Sequence, residues 1–381
     1  MAKGIYVGVN GVARKVKKVY IGTGNVARKV KKGYIGVGGV ARPFWTGGEV
    51  AYYGTITQLS VGRGELAAAS VGNYALFGGG LSSASTYVNT VDAYNTNLAC
   101  STPTALSVGR SQIAAAGFVN GKYALFSGGW MSVFTTAISN ALDAYDANLT
   151  RSNGSSIATR CQSAVSIGDY VIFSGGWDSN YSVTASIVAF NSNLVANGTS
   201  PGGLSAARIY HASARIGNYA LIGGGGWGGV GMSSTVDVYD TNLIRTSAAT
   251  FNYGSRALAA GSTGTYAVFA GGYGYDSGES TQVTAYNINL VKTVPTGLSN
   301  GRSYLAAASS ANCVLFGGGR KENTANMPGQ STVDVYDANL VRSIPSQLNV
   351  PRGQLAATII GNYALFGGGQ GSNAVEAYTI V

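Results

Sequence analysis

Charge is the scarcest commodity in this chain: Asp, Glu, Lys and Arg together make up 10% of its 381 residues. There is one histidine, His211, and there are three cysteines, Cys100, Cys161 and Cys313. A single histidine is too few for a histidine-based metal centre. Three widely spaced cysteines with no CxxC pair argue against a disulfide framework or a zinc site, and they read as small apolar fillers. The chain has no GxSxG and no phosphate loop following a strand. The glycine-rich run 223–231 belongs to a repeated glycine doublet rather than to a phosphate cradle. No apolar run is long enough for a membrane span, and residues 1–15 show no secretory-signal pattern. No cofactor and no metal are expected. The 15 acidic residues are scattered, many of them in turns, and no carboxylate pair for glycoside chemistry can be picked out.

Acid is absent from residues 1–48, which hold ten of the 25 basic residues. The net charge of +10 therefore sits in the opening segment, and the rest of the chain is balanced. Two modules are expected: a basic 14-residue repeat over 1–48 and a larger domain over 49–381. The first contains "GVARKVKK" (11–18), "NVARKVKK" (25–32) and "GVARPFW" (39–45). Five-residue apolar runs alternate with Asn/Gly pairs, which are strong hairpin turns, and with Lys-Lys pairs, which are poor ones. A β-meander is the first expectation and a small solenoid or prism coil the second. In a meander, Val16, Ile21, Ile35 and Phe44 would share one face with Arg14, Arg28 and Arg42. A sheet this small cannot cover its own apolar face, so these seven residues are the expected attachment or self-association surface. Nucleic-acid binding and a merely solvated charged face are the weaker readings of the same basic residues.

Glycine is abundant, at 57 residues, and it is periodic. "YALFGGG" (74–80) recurs as "YALFSGG" (123–129), "YVIFSGG" (170–176), "YALIGGG" (219–225), "YAVFAGG" (266–272), "CVLFGGG" (313–319) and "YALFGGG" (363–369). An arginine precedes each run: Arg63, Arg110, Arg160, Arg208, Arg256, Arg302 and Arg352. A "VDAY"-like strand and a "DxNL"-like turn follow each run except the last, which stops at "VEAYTIV". Repeats of 45–50 residues with four short strands are propeller blades. The expected fold is all-β, a seven-bladed propeller. Residues 51–59 stand where the other units have their fourth strand, so they are expected to complete the last blade and leave no open edge.

The arginine, the glycine doublet and the following tyrosine resemble the kelch repeat family over roughly residues 51–381. That resemblance implies a kelch-like propeller; it carries no activity, because propellers host many functions. The phrase "YIGVGGVARPFW" with its preceding "VARKVKK" units resembles N-terminal repeats of tail-associated proteins of phages and prophages. This second resemblance implies anchoring to a virion or tail-like particle made in the host cytoplasm.

Aromatic residues cluster in the loops after the glycines: Trp130 and Phe134, Trp177 and Tyr181, Trp227, Tyr273 and Tyr275. Such rings either contact a ligand, stacking on sugar faces, or pack between blades. Arg110, Arg160 and Arg208 are the candidate ligand-binding arginines; the competing reading makes all seven arginines structural. The functional expectation is a non-enzymatic adhesin or receptor-binding protein for a cell-surface glycan or protein, held on a tail structural protein or on copies of itself. The alternatives are a carbohydrate-active enzyme and an intracellular interaction scaffold.

Overall fold

The structure is a computed structural model. It describes the backbone strands within residues 6–45 without their side chains. It also describes residues 50–380, apart from 133–136, 156–158, 160–162, 197–200, 228–230, 275–277, 323–325 and the side chain of Trp227.

The opening segment forms hairpins. Tyr6–Val9 pairs with Val12–Lys15, Val19–Thr23 with Val26–Val30, and Gly33–Val37 with Val40–Trp45. Each Asn/Gly pair thus lies between the two strands of one hairpin, as its turn chemistry demands. Among the described residues these are three two-stranded sheets; the lysine pairs 17–18 and 31–32 lie outside the described residues. The register repeats, setting Val7 opposite Arg14, Ile21 opposite Arg28 and Ile35 opposite Arg42.

Seven blade sheets follow, one per repeat, with three small two-stranded sheets in their loops. Blade one runs inward to outward as Ala67–Val71, Tyr74–Gly78, Val91–Asn95 and Cys100–Ser101. A two-residue turn at Gly72-Asn73 joins its first two strands. Gly72 has a φ of 51°, which suits a residue without a Cβ. The innermost strands of the later blades are Ala114–Gly117, Ser163–Ile167, Ala212–Ile216, Ala259–Ser262, Ala306–Ser309 and Ala356–Ile360. Each packs on the next, and the last packs on the first, so the ring is closed. Small residues at these positions let seven backbones approach one axis.

The second strand of each blade is mostly apolar because both of its faces are covered. Leu76 of blade one packs with Phe126 and Tyr145 of blade two, and this blade-to-blade pattern recurs around the ring. A Cβ at Gly78 would come within 2.9 Å of the Phe126 ring, so only glycine admits that neighbour. In six blades the tyrosine of the "VDAY"-like strand ties the blade to an incoming loop, and in the third Phe190 takes its place. Tyr94 donates to Thr57 O at 2.8 Å and Tyr145 to Thr104 O at 2.7 Å. Burial raises the pKa of these phenols, so they remain donors. The "DxNL" turns are Asx turns in which Asp240 Oδ1 accepts from Asn242 N and Ile244 N, both at 2.9 Å.

Among the described residues blade three shows three strands, with a bridge between Phe190 and Ala196 beyond the third. Blade seven takes its outer strand from the front of the domain: Ala51–Thr55 pairs antiparallel with Val375–Thr379.

Candidate ligand-binding site

The recurring arginines are the first test of any site. Arg63, Arg110, Arg208, Arg302 and Arg352 are all fully buried. Arg63 reaches Asp92 at 2.7 Å, Arg110 reaches Asp143 at 2.7 Å, and Arg208 reaches Asp237 at 2.6 Å. Arg302 pairs with Asp334 at 2.9 Å and Arg352 with Glu376 at 2.7 Å. Each guanidinium also donates to a carbonyl of its blade's second strand, as Arg302 does to Phe316 O at 3.1 Å. The four aspartates are held from their other side by the Leu-Ser pair of the motif, as where Ser299 donates to Asp334 through its N–H at 3.1 Å and its hydroxyl at 3.0 Å; Glu376 accepts instead from Asn349 N and Val350 N. These arginines fasten the loop to the blade. Arg110 and Arg208 were expected among the ligand contacts; with side chains 0% and 1% exposed they are enclosed by their own blades.

Blades three and five depart from this pattern. The first glycine-to-neighbour hydrogen bond of each blade ends on the carbonyl of the buried arginine, as in Gly80 N to Arg110 O at 2.8 Å and Gly272 N to Arg302 O at 2.9 Å. The equivalent bonds end on Thr159 O, at 3.0 Å from Gly129 N, and on Ser255 O, at 2.8 Å from Gly225 N. Arg160 and Arg256 therefore stand one residue past the structural position, a correction to the seven-arginine register. The acid is gone from the same two blades: Val188 and Thr284 occupy its place, opposite Phe173 and Phe269. Removing only one partner would strand a buried charge; here both partners are absent together. In blade five Ser255 Oγ donates to Gly271 O at 3.1 Å, as Arg302 Nε does to Gly318 O at 2.8 Å. Phe251 stands where other blades have Leu59, Leu106 or Leu298, and packs on Phe269 at 5.2 Å between ring centres.

Two residues beyond each structural arginine position the chain turns through left-handed φ, from 51° to 56°, at Glu65, Gln112, Tyr210, Ala257, Tyr304 and Gln354. Their backbones link blade to blade: Gln112 N donates to Glu65 O at 2.9 Å, Ala257 N to Tyr210 O at 2.8 Å, and Tyr304 N to Ala257 O at 2.8 Å. Gln354 N continues to Tyr304 O and Glu65 N to Gln354 O, both at 3.0 Å. This collar surrounds one mouth of the central channel, a cavity of about 410 Å³. Apolar residues such as Leu66, Ile113 and Leu305 form its walls, with polar groups from the collar and Arg320 above them. The opposite mouth, about 500 Å³, is lined mainly by Ala, Ser and Gly.

Within the first mouth, Glu65 is held by Ser111 Oγ at 3.0 Å, Gln354 Nε2 at 3.0 Å and Gln112 Nε2 at 3.3 Å. Arg320 lies over the Tyr304 ring at 4.0 Å. Tyr304 meets Tyr210 edge-on at 5.8 Å, and Tyr210 meets Trp177 at 5.9 Å. Arg256 flanks Tyr210 and Tyr273, at 5.9 and 5.3 Å, and pairs with Glu322 at 2.7 Å. His211 is buried behind the wall, its Nε2 2.9 Å from Ser174 Oγ. Burial and the nearby Arg208 charge lower its pKa to about 3, so it is neutral.

The predicted aromatics divide. Trp177 is buried at the junction of blades three and four. Trp130 is partly buried and edge-on to Tyr181 at 6.0 Å, with Tyr181 exposed. Tyr273 lies beneath Arg256 at the rim. Phe134, Tyr275 and Arg160 lie outside the described residues, as do the side chain of Trp227 and those of Arg14, Val16, Ile21, Arg28, Ile35, Arg42 and Phe44. Sequence reasoning missed Glu65, Gln112, Tyr210, Tyr304, Gln354 and Arg320. The signal was present: five of these occupy one repeat column, two past the arginine position, whose residue type changes from blade to blade.

No protein-family model matches the chain, and no curated protein matches it. Solved structures do. The structure of YjhT aligns with a TM-score of 0.60 at 15% identity, covering 76% of this chain and 99% of that one. The likeness is one of fold. The ring is a seven-bladed β-propeller. Among the described residues no three His, Cys, Asp or Glu side chains group as a metal site, and no helix is long and apolar enough to cross a membrane.

Proposed function

We propose that the protein is a non-enzymatic receptor-binding protein of a phage or phage-like tail. In this reading the kelch-like propeller engages a cell-surface glycan at the collared mouth, and the basic hairpins attach it to the particle or to other copies of itself. The observation that carries the reading is the composition of that mouth: phenol rings, amides and a guanidinium over apolar walls, on a rigid closed ring. Rings with hydrogen-bonding neighbours suit a sugar, which has apolar faces and a hydroxyl rim. The buried carboxylates favour binding over hydrolysis. Asp92, Asp143, Asp237, Asp334 and Glu376 are spread one to a blade, each bound to its arginine.

A glycan-array screen of the full chain tests it, followed by titration of the best ligand against Tyr304→Asn. Asparagine tolerates the left-handed backbone at this position and removes the ring. At least a tenfold loss of affinity is expected, with none for Arg215→Ala at the opposite mouth. Equal losses in both variants, or release of new reducing ends from the glycan, would refute the assignment. The attachment half is tested by light scattering of the full chain against a chain lacking residues 1–48.

A further inference from the structure

We infer that the ligand of the collared mouth is an acidic sugar, and that Arg320 is the residue that meets its carboxylate. The inference rests on the glycan-binding reading above and adds the ligand class. Eleven arginines have described side chains, and nine of them are in ion pairs with Asp or Glu. The two outside those pairs are Arg215, exposed at the opposite mouth, and Arg320, partly buried in this one. Arg320 is placed by its backbone, which exchanges hydrogen bonds with Ser303 at 2.8 and 3.1 Å. Its guanidinium lies on Tyr304, and its Nε is buried without a hydrogen-bond partner. Stacking occupies a guanidinium's face and leaves its N–H edge free, the geometry that takes a carboxylate through two parallel hydrogen bonds.

The acid in the same cavity does not meet that need. Both oxygens of Glu65 are engaged by Ser111, Gln112 and Gln354. A bound anion therefore has one favourable end, at Arg320, and one unfavourable end, at Glu65. A sugar acid satisfies both ends, with its carboxylate on Arg320 and its hydroxyls donating toward Glu65 and exchanging hydrogen bonds with the two glutamines. Inorganic phosphate is compact, carries more charge at neutral pH and has no ring of hydroxyls to reach Glu65, so it fits the arginine end alone.

Calorimetric titration of the full chain with D-glucuronate, methyl glucoside and inorganic phosphate tests the assignment. Glucuronate is expected to bind at least tenfold tighter than methyl glucoside and than phosphate. Arg320→Gln is expected to lose that preference while keeping the melting temperature and the weak binding of methyl glucoside. Arg320→Lys, which keeps the charge and lacks the fork, is expected to fall between. Unchanged glucuronate affinity in Arg320→Gln, no preference for glucuronate over methyl glucoside, or phosphate binding as tight as glucuronate each overturns the inference. Neutral glycans that bind in a Tyr304-dependent way without a uronate preference would overturn this inference and leave the glycan-binding reading standing. Glycan binding indifferent to both Tyr304 and Arg320 would remove both.

Discussion

Replacing Asp334 alone with threonine leaves Arg302 buried and uncompensated, with Ser299 losing both of its hydrogen bonds to the carboxylate. Breaking one side of a buried pair costs about 3–5 kcal/mol. For a chain of 381 residues the unfolding entropy near the melting point is about 0.8 kcal/mol per degree. The expected drop in melting temperature is therefore about 4–6 °C. Blade five shows what a blade without the pair looks like: Ser255 and Thr284 in place of the pair, with Phe251 in place of leucine. Adding Arg302→Ser to Asp334→Thr removes the stranded charge and lets a hydroxyl take over the bond to Gly318 O. Adding Leu298→Phe then refills the space. The double variant is expected to recover about 2 kcal/mol of the single variant's loss, and the triple to come within about 1.5 kcal/mol of the parent. Melting followed by circular dichroism, with urea midpoints as a second measure, reads all four proteins. A double variant that melts below the single Asp334→Thr would refute the argument that the charge, and not the lost contacts, sets the penalty.

Three further outcomes follow from the same geometry. His211 is held neutral with a pKa near 3, against about 6.5 when unfolded, so the unfolded chain binds the extra proton between those values. Stability is thus complete above about pH 6.5 and falls by up to about 1.4 kcal/mol per pH unit below it; His211→Gln should flatten that part of a urea-midpoint profile, and an identical slope in the variant would remove the histidine as its source. Asp240→Ala deletes an Asx turn with two backbone donors, for an expected loss of about 1 kcal/mol, measurable by urea midpoint. Deleting residues 1–55 strips the outer strand from Val375–Thr379 and exposes a sheet edge, so light scattering should show aggregation that deletion of 1–48 does not produce.

The repeats were legible because strand, glycine and turn chemistry recur at a fixed spacing, and periodicity survives when individual residues vary. The arginine register was misread in two blades for a physical reason. An arginine one residue late looks the same in sequence as one on time, unless its neighbours are aligned. "FNYGS" (251–255) matches "LSVGR" (59–63) glycine to glycine, and Ser255 falls on Arg63. The absent acid at Val188 and Thr284 is the independent sign that the pair was gone. The collar was harder to see, since its members share a position and a backbone conformation but no chemistry. Arg320 could not have been singled out from sequence, because its distinction is the ion pair it lacks. In the opening segment the hairpins were readable from their Asn/Gly pairs.

The strand 51–55 finds its partner more than three hundred residues later, at 375–379. During synthesis it emerges before any other part of the ring and stays unpaired until the chain is nearly complete. At about 5–20 residues per second that delay is roughly 15–65 s. Throughout it, Tyr52 and Tyr53 and one bare strand edge face solvent, available to a neighbouring nascent chain on the polysome. Closing the circle is therefore the last act of folding, and crowding between ribosomes is the circumstance most apt to turn a ring into a chain of exchanged strands.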